Sequence, residues 1–245
     1  MKEQAEIYTG REPTGQEYGK SLVEYRLHPN AQAVADAVIN AGAYITYFDR
    51  PRGQWPVWTD GTVSPAYCNM RATLSNPDSR RVISRAMIDL VTENVHDYKD
   101  GTIVVALATA GISWGTTIAD ALGLPLAYDR GKPKAYGTGD RIEGSLGQMR
   151  KAILVDDAMA SGGSMGGASD FLNSLGIQIA AIVAGVAISD PSCKNRWNEL
   201  GNIRILAATD FHHLLAGQLR EGRLNEDQMR KLIAFYRDNK AEIDW

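Results

Sequence analysis

Two adjacent carboxylates at the end of an apolar run, followed by a glycine turn into a helix, constrain this 245-residue chain more than any other feature. The run Ala152, Ile153, Leu154, Val155 has the continuous apolarity of a strand buried on both faces of a parallel sheet. It delivers Asp156 and Asp157, after which Ser161, Gly162, Gly163 and Ser164 turn the chain into a helix expected over residues 164–175. Two neighbouring acids at the end of a buried strand repel each other. An ordinary strand-to-helix turn gives no reason to keep them.

The residue types at this turn suit one kind of ligand. Gly162 and Gly163 let the backbone come close to a bound group. A helix N-terminus flanked by Ser161 and Ser164 suits a phosphate monoester. The carboxylates upstream suit the vicinal hydroxyls of a ribose, which donate without carrying charge. Phosphate donors and hydroxyl acceptors one loop apart match a ribose 5-phosphate. Neither GxxxxGK[ST] nor a GxGxxG after a strand is present, so the nucleotide P-loop and the dinucleotide fingerprint are excluded.

The surrounding pattern supplies the sheet. Apolar strands are expected at residues 43–48, 103–108, 125–128, 152–155, 177–188 and 203–207. Helices are expected at 30–42, begun by Asn30 as N-cap, and at 79–94, 114–122, 164–175, 212–221 and 226–238. A hairpin is expected around Asp60-Gly61. Strand and helix alternate from about residue 80 to 207, which predicts an α/β fold with a doubly wound, mostly parallel sheet. Ligands in such sheets sit beyond the carboxyl ends of the strands. Residues 1–29 are polar and read as an N-terminal extension. Residues 30–245 read as one domain, with a core over about 80–210 and a small hood from 30–79 and 211–245.

Composition sets limits on function. A net charge of −3 argues against a general nucleic-acid binder, and no apolar run approaches a membrane span. The two cysteines, Cys68 and Cys193, have no metal-ligand spacing, and a reduced, cytoplasmic setting is expected. The adjacent His212 and His213 are read as incidental.

A second segment carries chemistry. Residues 131–147 form a loop with five glycines, preceded and entered by Arg130, Lys132 and Lys134 at alternate positions. In an extended segment that alternation puts three cations on one side. Three converging cations on a glycine-rich loop suit a pyrophosphate leaving group.

Residues 153–164 resemble the signature of the type I phosphoribosyltransferases: an apolar strand, two acids, a short variable stretch, then Thr/Ser-Gly-Gly-Thr/Ser. The cationic loop is similar to that of the orotate phosphoribosyltransferases, Arg-x-Lys-x-Lys-x-His-Gly-x-Gly followed by Ile-Glu-Gly. Residues 60–71 resemble that family's base-side segment, residues 108–112 its pyrophosphate turn, and residues 221–228 its closing region. The likeness covers roughly residues 55–240, with the motifs in family order. This chain departs at Tyr136 (histidine in the family), Ala160 (Thr or Ser), Val63 (often lysine) and Asn69 (an acid).

The resemblance implies transfer of the phosphoribosyl group of 5-phosphoribosyl-1-pyrophosphate (PRPP) to orotate, in pyrimidine synthesis. Arg130, Lys132, Lys134 and Tyr136 would meet pyrophosphate, with Thr109 and Ala110. Asp156, Asp157, Ala158, Met159, Ala160, Ser161, Gly162, Gly163 and Ser164 would hold the ribose 5-phosphate. Lys134, Arg130 and Asp157 are the expected catalytic residues, and Tyr67, Cys68 and Ala160 the base-side ones. Mg²⁺ would be held mainly through PRPP, with Asp156 and Asp157 as the side chains nearest it. A homodimer sharing the loop between subunits is implied. A phosphoribosyltransferase for a different base, or a non-catalytic PRPP-binding regulator, stays open at this point.

Overall fold

The computed structural model describes residues 24–58, 61–133, 140–188, 203–237 and 243. Seven strands make one sheet: β1 (Tyr25–Leu27), β4 (Thr102–Leu107), β5 (Leu126–Asp129), β6 (Ile142–Glu143), β7 (Lys151–Met159), β8 (Gln178–Ala187) and β9 (Ile205–Asp210). They lie in the order β1-β9-β8-β7-β4-β5-β6. Every neighbouring pair is parallel except β5 with β6. A separate antiparallel pair joins β2 (Tyr44–Thr46) to β3 (Ala66–Cys68).

Continuous apolarity in the central strands reflects burial on both faces. All six residues of β4 are buried. Val104 packs with Ile153, Val155 and Val183 on one face, against α1 (Ala31–Asn40), α2 (Pro77–Asn94), α3 (Ile112–Leu122) and α5 (Phe211–Arg220). Ile103, Val105 and Leu107 pack with Leu154 and Ile182 on the other, against α4 (Gly163–Ser174). Burying each such side chain contributes roughly 1.5–3 kcal/mol, which is why alternation between polar and apolar is absent from these strands. Local signals end the helices: Asn76 accepts from the amides of Asp78 and Ser79 with Pro77 in the first turn, and Gly123 closes α3 at φ 66°.

From β4 the chain steps through α3 to β5, whereas from β7 it steps through α4 to β8 on the opposite side. The direction of winding therefore reverses between β4 and β7. That reversal opens a crevice at the carboxyl ends of these two strands, where open α/β sheets bind ligands.

Several expectations are corrected. Asn30 precedes α1, but its side chain makes no capping bond; its amide donates to His28 Nδ1 at 3.1 Å. β7 does not stop at Val155 but runs on to Met159, because β8 extends equally far and pairs Asp156 with Ala184 and Ala158 with Val186. The acidic pair thus lies inside the strand. Tyr25–Leu27, within the polar stretch read as an extension, forms the edge strand along β9. The 131–147 loop contains β6, which folds back on β5. Asp60 lies outside the described residues, though the Trp58 amide donates to Thr62 O at 2.8 Å and Val57 pairs with Val63 around it.

His213 has a structural partner in Asp210. Its Nδ1 lies 2.7 Å from Asp210 Oδ1, which also caps α5 by accepting the His213 amide. This hydrogen bond and the charges of Asp210 and Asp36 raise its pKa above 6.5 despite burial. A histidine whose folded pKa is raised stabilises the fold fully below its unfolded pKa and loses that contribution as pH climbs through the folded one. Denaturant titrations of wild type and His213→Gln are expected to differ by up to about 1 kcal/mol at pH 5.5 and to converge by pH 8.5. A difference that grows with pH would contradict this.

Candidate functional site

Two turns meet at the crevice. After β4, residues Ala108, Thr109, Ala110 and Gly111 lead into α3, with the Ala108–Thr109 peptide in the cis form. A Cβ on Gly111 would lie 2.5 Å from Val155 O and 2.7 Å from Leu107 O, so only glycine fits. The turn therefore rests on the backbone of β7, one residue before the acidic pair. The Ala108 amide also donates to Asp129 O at 2.8 Å, tying the turn to the end of β5. Thr109 is exposed and Ala110 half-buried.

After β7, Ala160, Ser161 and Gly162 turn into α4. Gly162 adopts φ 75°, a left-handed conformation that favours glycine. Among the described residues no side chain caps α4, and its first turn holds no acid. Its leading amides and positive end thus face the crevice, flanked by the exposed Ser161 and Ser164. An anionic group is the natural complement. Gly163, in contrast, meets nothing closer than Ser161 Oγ at 3.6 Å, so the fold itself does not demand glycine there.

The carboxylates stand between these turns. Asp156 Oδ1 accepts the Asp157 amide at 2.9 Å. Burial holds the Asp156 carboxyl well above the usual range, and the Asp157 charge pushes the same way. Burial also raises Asp157, against the Ala158 amide and the cation of Arg71, which oppose it. Gly185 on β8 leaves room here, since a Cβ would stand 2.8 Å from Asp157 O and 2.9 Å from Met70 Cε. The Cys68 thiol, on β3, is pushed up by burial and then by the charge of Asp157.

Such a pair favours hydroxyl ligands and is a burden to the empty protein. An acid whose folded pKa is raised costs stability as pH rises through its unfolded pKa. Asp156→Asn keeps an acceptor for the Asp157 amide and removes the repulsion. It is expected to stabilise the fold by about 0.5–2 kcal/mol at pH 7.5. Calorimetric melting checks this; a destabilised variant would contradict the burden assigned to the pair.

Most of the expected residues are brought together, and some are not. Ala158 and Met159 close β7, while Ala160 and Cys68 border the same core cluster. Tyr67 is half-buried on β3. Arg130 reaches Glu143 on the other stem of the cationic loop at 3.2 Å instead of standing free beside Lys132, which is exposed. Lys134, Tyr136, Gly137 and Gly139 lie outside the described residues. Arg71 was not singled out by sequence, yet it is the cation acting on both acids. Its signal was its place as the last residue of the 60–71 segment.

As a metal site the arrangement is incomplete by itself. No cluster of three or more His, Cys, Asp or Glu occurs among the described residues. Mg²⁺ takes six oxygens and commonly uses one or two carboxylates plus substrate phosphates. The two aspartates fit that partial role.

An acidic pair beside an uncapped helix N-terminus at the strand ends suits a phosphorylated sugar. The sequence profile of the phosphoribosyl transferase domain matches residues 73–213, and the chain belongs to this family. Within it, the chain is 33% identical over 178 residues to an orotate phosphoribosyltransferase of Oceanobacillus iheyensis, covering 73% of this chain and 86% of that one. The Bacillus subtilis orotate phosphoribosyltransferase is 30% identical over 188 residues, covering 77% and 85%. Among solved structures, orotate phosphoribosyltransferase from Aeropyrum pernix superposes with a TM-score of 0.61 at 19% identity, covering 78% of this chain and 99% of that one. Leishmania donovani UMP synthase gives 0.65 at 22% over 84% of this chain, which spans 42% of that longer protein. No helix among the described residues is long and apolar enough to cross a membrane.

Proposed function

We propose that the chain transfers the 5-phosphoribosyl group of PRPP to N1 of orotate, giving orotidine 5'-monophosphate and pyrophosphate in pyrimidine synthesis. The acidic pair beside an uncapped helix N-terminus carries the reading. Asp156 and Asp157 accept the ribose hydroxyls, and the amides of 162–164 with Ser161 and Ser164 hold the 5-phosphate. The turn at Thr109 and Ala110 and the loop cations Arg130, Lys132 and Lys134, with Tyr136, receive pyrophosphate. Asp156 and Asp157 would help to hold Mg²⁺, which would supply neutralising charge for pyrophosphate. The N1–C1 bond forms as C1–O breaks, through a transition state with charge on the sugar, so placing groups around it is the protein's main task.

Residues 30–79 and 211–245 serve as the hood over the base, around Tyr67 and Cys68. Support comes from the buried Tyr44–Tyr236 hydroxyl pair at 2.7 Å and Trp58 stacked on Tyr236, which tie helix α6 (Glu226–Arg237) to the small sheet. The active unit is a homodimer in which the cationic loop serves the neighbouring site.

Ala160 favours a second reading, a different acceptor base. It packs on the core and its side chain offers no hydrogen bond where the family has Thr or Ser. The test is incubation with Mg²⁺, PRPP and a mixture of orotate, uracil, adenine and nicotinate, followed by chromatography of each base. Consumption of orotate alone supports the first reading; consumption of another base in its place selects the second. PRPP bound but no base consumed points to a regulator.

A further inference from the structure

Among the side chains around the site, one buried ion pair touches three of its parts at once. Asp129, the last residue of β5, is only 2% exposed. Its two oxygens receive Nε and Nη2 of Arg141, both at 2.7 Å, and Oδ1 also accepts the Gly131 amide at 2.7 Å. The two residues stand on opposite stems of the cationic loop, at its base. Asp129 pairs with Ile142 across the β5–β6 ladder, and the Arg130 amide donates to Arg141 O at 3.0 Å.

Both residues also reach out of the loop. The Asp129 carbonyl holds the Ala108 amide of the turn after β4. Arg141 Nη2 donates to Gly167 O at 3.1 Å, and its guanidinium lies 4.3 Å over the ring of Phe171. Gly167 and Phe171 belong to α4, the helix whose N-terminus faces the crevice. One planar fork thus connects the loop base, the turn at 108–111 and the phosphate-side helix.

Stability alone is a weak reason for this pair. A buried ion pair gains little over apolar side chains of similar size, because both charges lose their hydration. What it does supply is direction: a bidentate fork fixes angle as well as distance, which lysine in the same place does not.

We propose that Arg141, oriented by Asp129, is a positioning residue that sets the stems of the cationic loop against α4, so that the loop leaves its own domain in a fixed direction toward the site it serves. The inference rests on the transferase reading above. It acts through the loop and not on the substrate, so it is expressed in turnover more than in substrate affinity.

A double-mutant cycle in the full-length protein tests it. In the wild-type background Arg141→Lys is expected to lower kcat about tenfold with the KM for PRPP changed less than about twofold. In a Lys134→Ala background the same substitution is expected to cost less than about twofold in kcat, because the loop group it positions is gone. Asp129→Asn, which retains an acceptor for the Gly131 amide, is expected to behave likewise, and melting curves confirm that each variant is folded. Equal losses in the two backgrounds, an unchanged kcat, or a loss in KM alone would overturn the proposal. Wild-type protein that releases no pyrophosphate with any base would instead remove the transferase reading beneath it, and the two failures are distinct.

Discussion

Lys134→Ala is expected to lower kcat by about 10²–10⁴ while the Kd for PRPP rises less than about tenfold. Negative charge accumulates on pyrophosphate as the C1–O bond breaks, so a cation aimed at it contributes more in the transition state than in the ground state. On the proposed reading the 5-phosphate and ribose are held instead by the amides of α4 and by Asp156 and Asp157, which the substitution leaves in place. Affinity therefore survives while turnover falls. Steady-state kinetics together with PRPP titration measure the two effects separately; equal losses in both would remove the role given to Lys134. The same variant tests the proposed homodimer: mixed with Asp156→Asn, a dimer with a shared loop would give one site with both defects and one with neither. Regain of activity on mixing two inactive variants supports a loop shared between subunits, and no regain contradicts it.

Gly111→Ala is expected to be the most damaging single-methyl change in the site. The added Cβ meets two backbone carbonyls, at 2.5 Å and 2.7 Å, and neither belongs to a side chain that can swing away. Overpacking of this kind typically costs about 1–3 kcal/mol. Relief requires the 108–111 turn to lift off β7, which displaces Thr109 and Ala110 from the acidic pair. A melting temperature lower by several degrees is expected together with more than about tenfold weaker pyrophosphate binding. Gly53→Ala is the control, since nothing lies within 4 Å of its added carbon, and it should leave both quantities unchanged. Normal pyrophosphate affinity in Gly111→Ala would show that the turn takes no part in the site.

How much of this was legible from the chain depends on the scale of the interaction. β4 and the first half of β7 were readable because burial on both faces leaves an uninterrupted apolar run. The second half of β7 was not, because two aspartates speak against a strand; pairing with β8 overrides them. β6 has two residues in a glycine-rich loop, too few for any periodicity, and is fixed by its partner β5. The edge strand Tyr25–Leu27 was hidden for the same reason, three residues at the end of a polar stretch.

The same division holds in the site. Asp156, Asp157, Ser161 and Gly162 were legible because their chemistry is contiguous in sequence. Arg71 was not, since only the fold brings it, from the 3₁₀ turn at Met70–Ser75, to bear on acids eighty-odd positions away. Nothing in the sequence singles out Asp129 and Arg141. Their bidentate geometry and the reach to Gly167 and Phe171 exist only once the loop stems fold together against α4.

Phosphorus NMR of the protein with Mg²⁺, PRPP and orotate tests the central claim most directly, with Asp156→Asn alongside. In the wild type the PRPP signals are expected to give way to pyrophosphate and a new 5'-monophosphate in equal amounts, only when orotate is present, and far more slowly in the variant. PRPP left intact beside orotate, or conversion that Asp156→Asn carries out as fast as the wild type, would contradict the account.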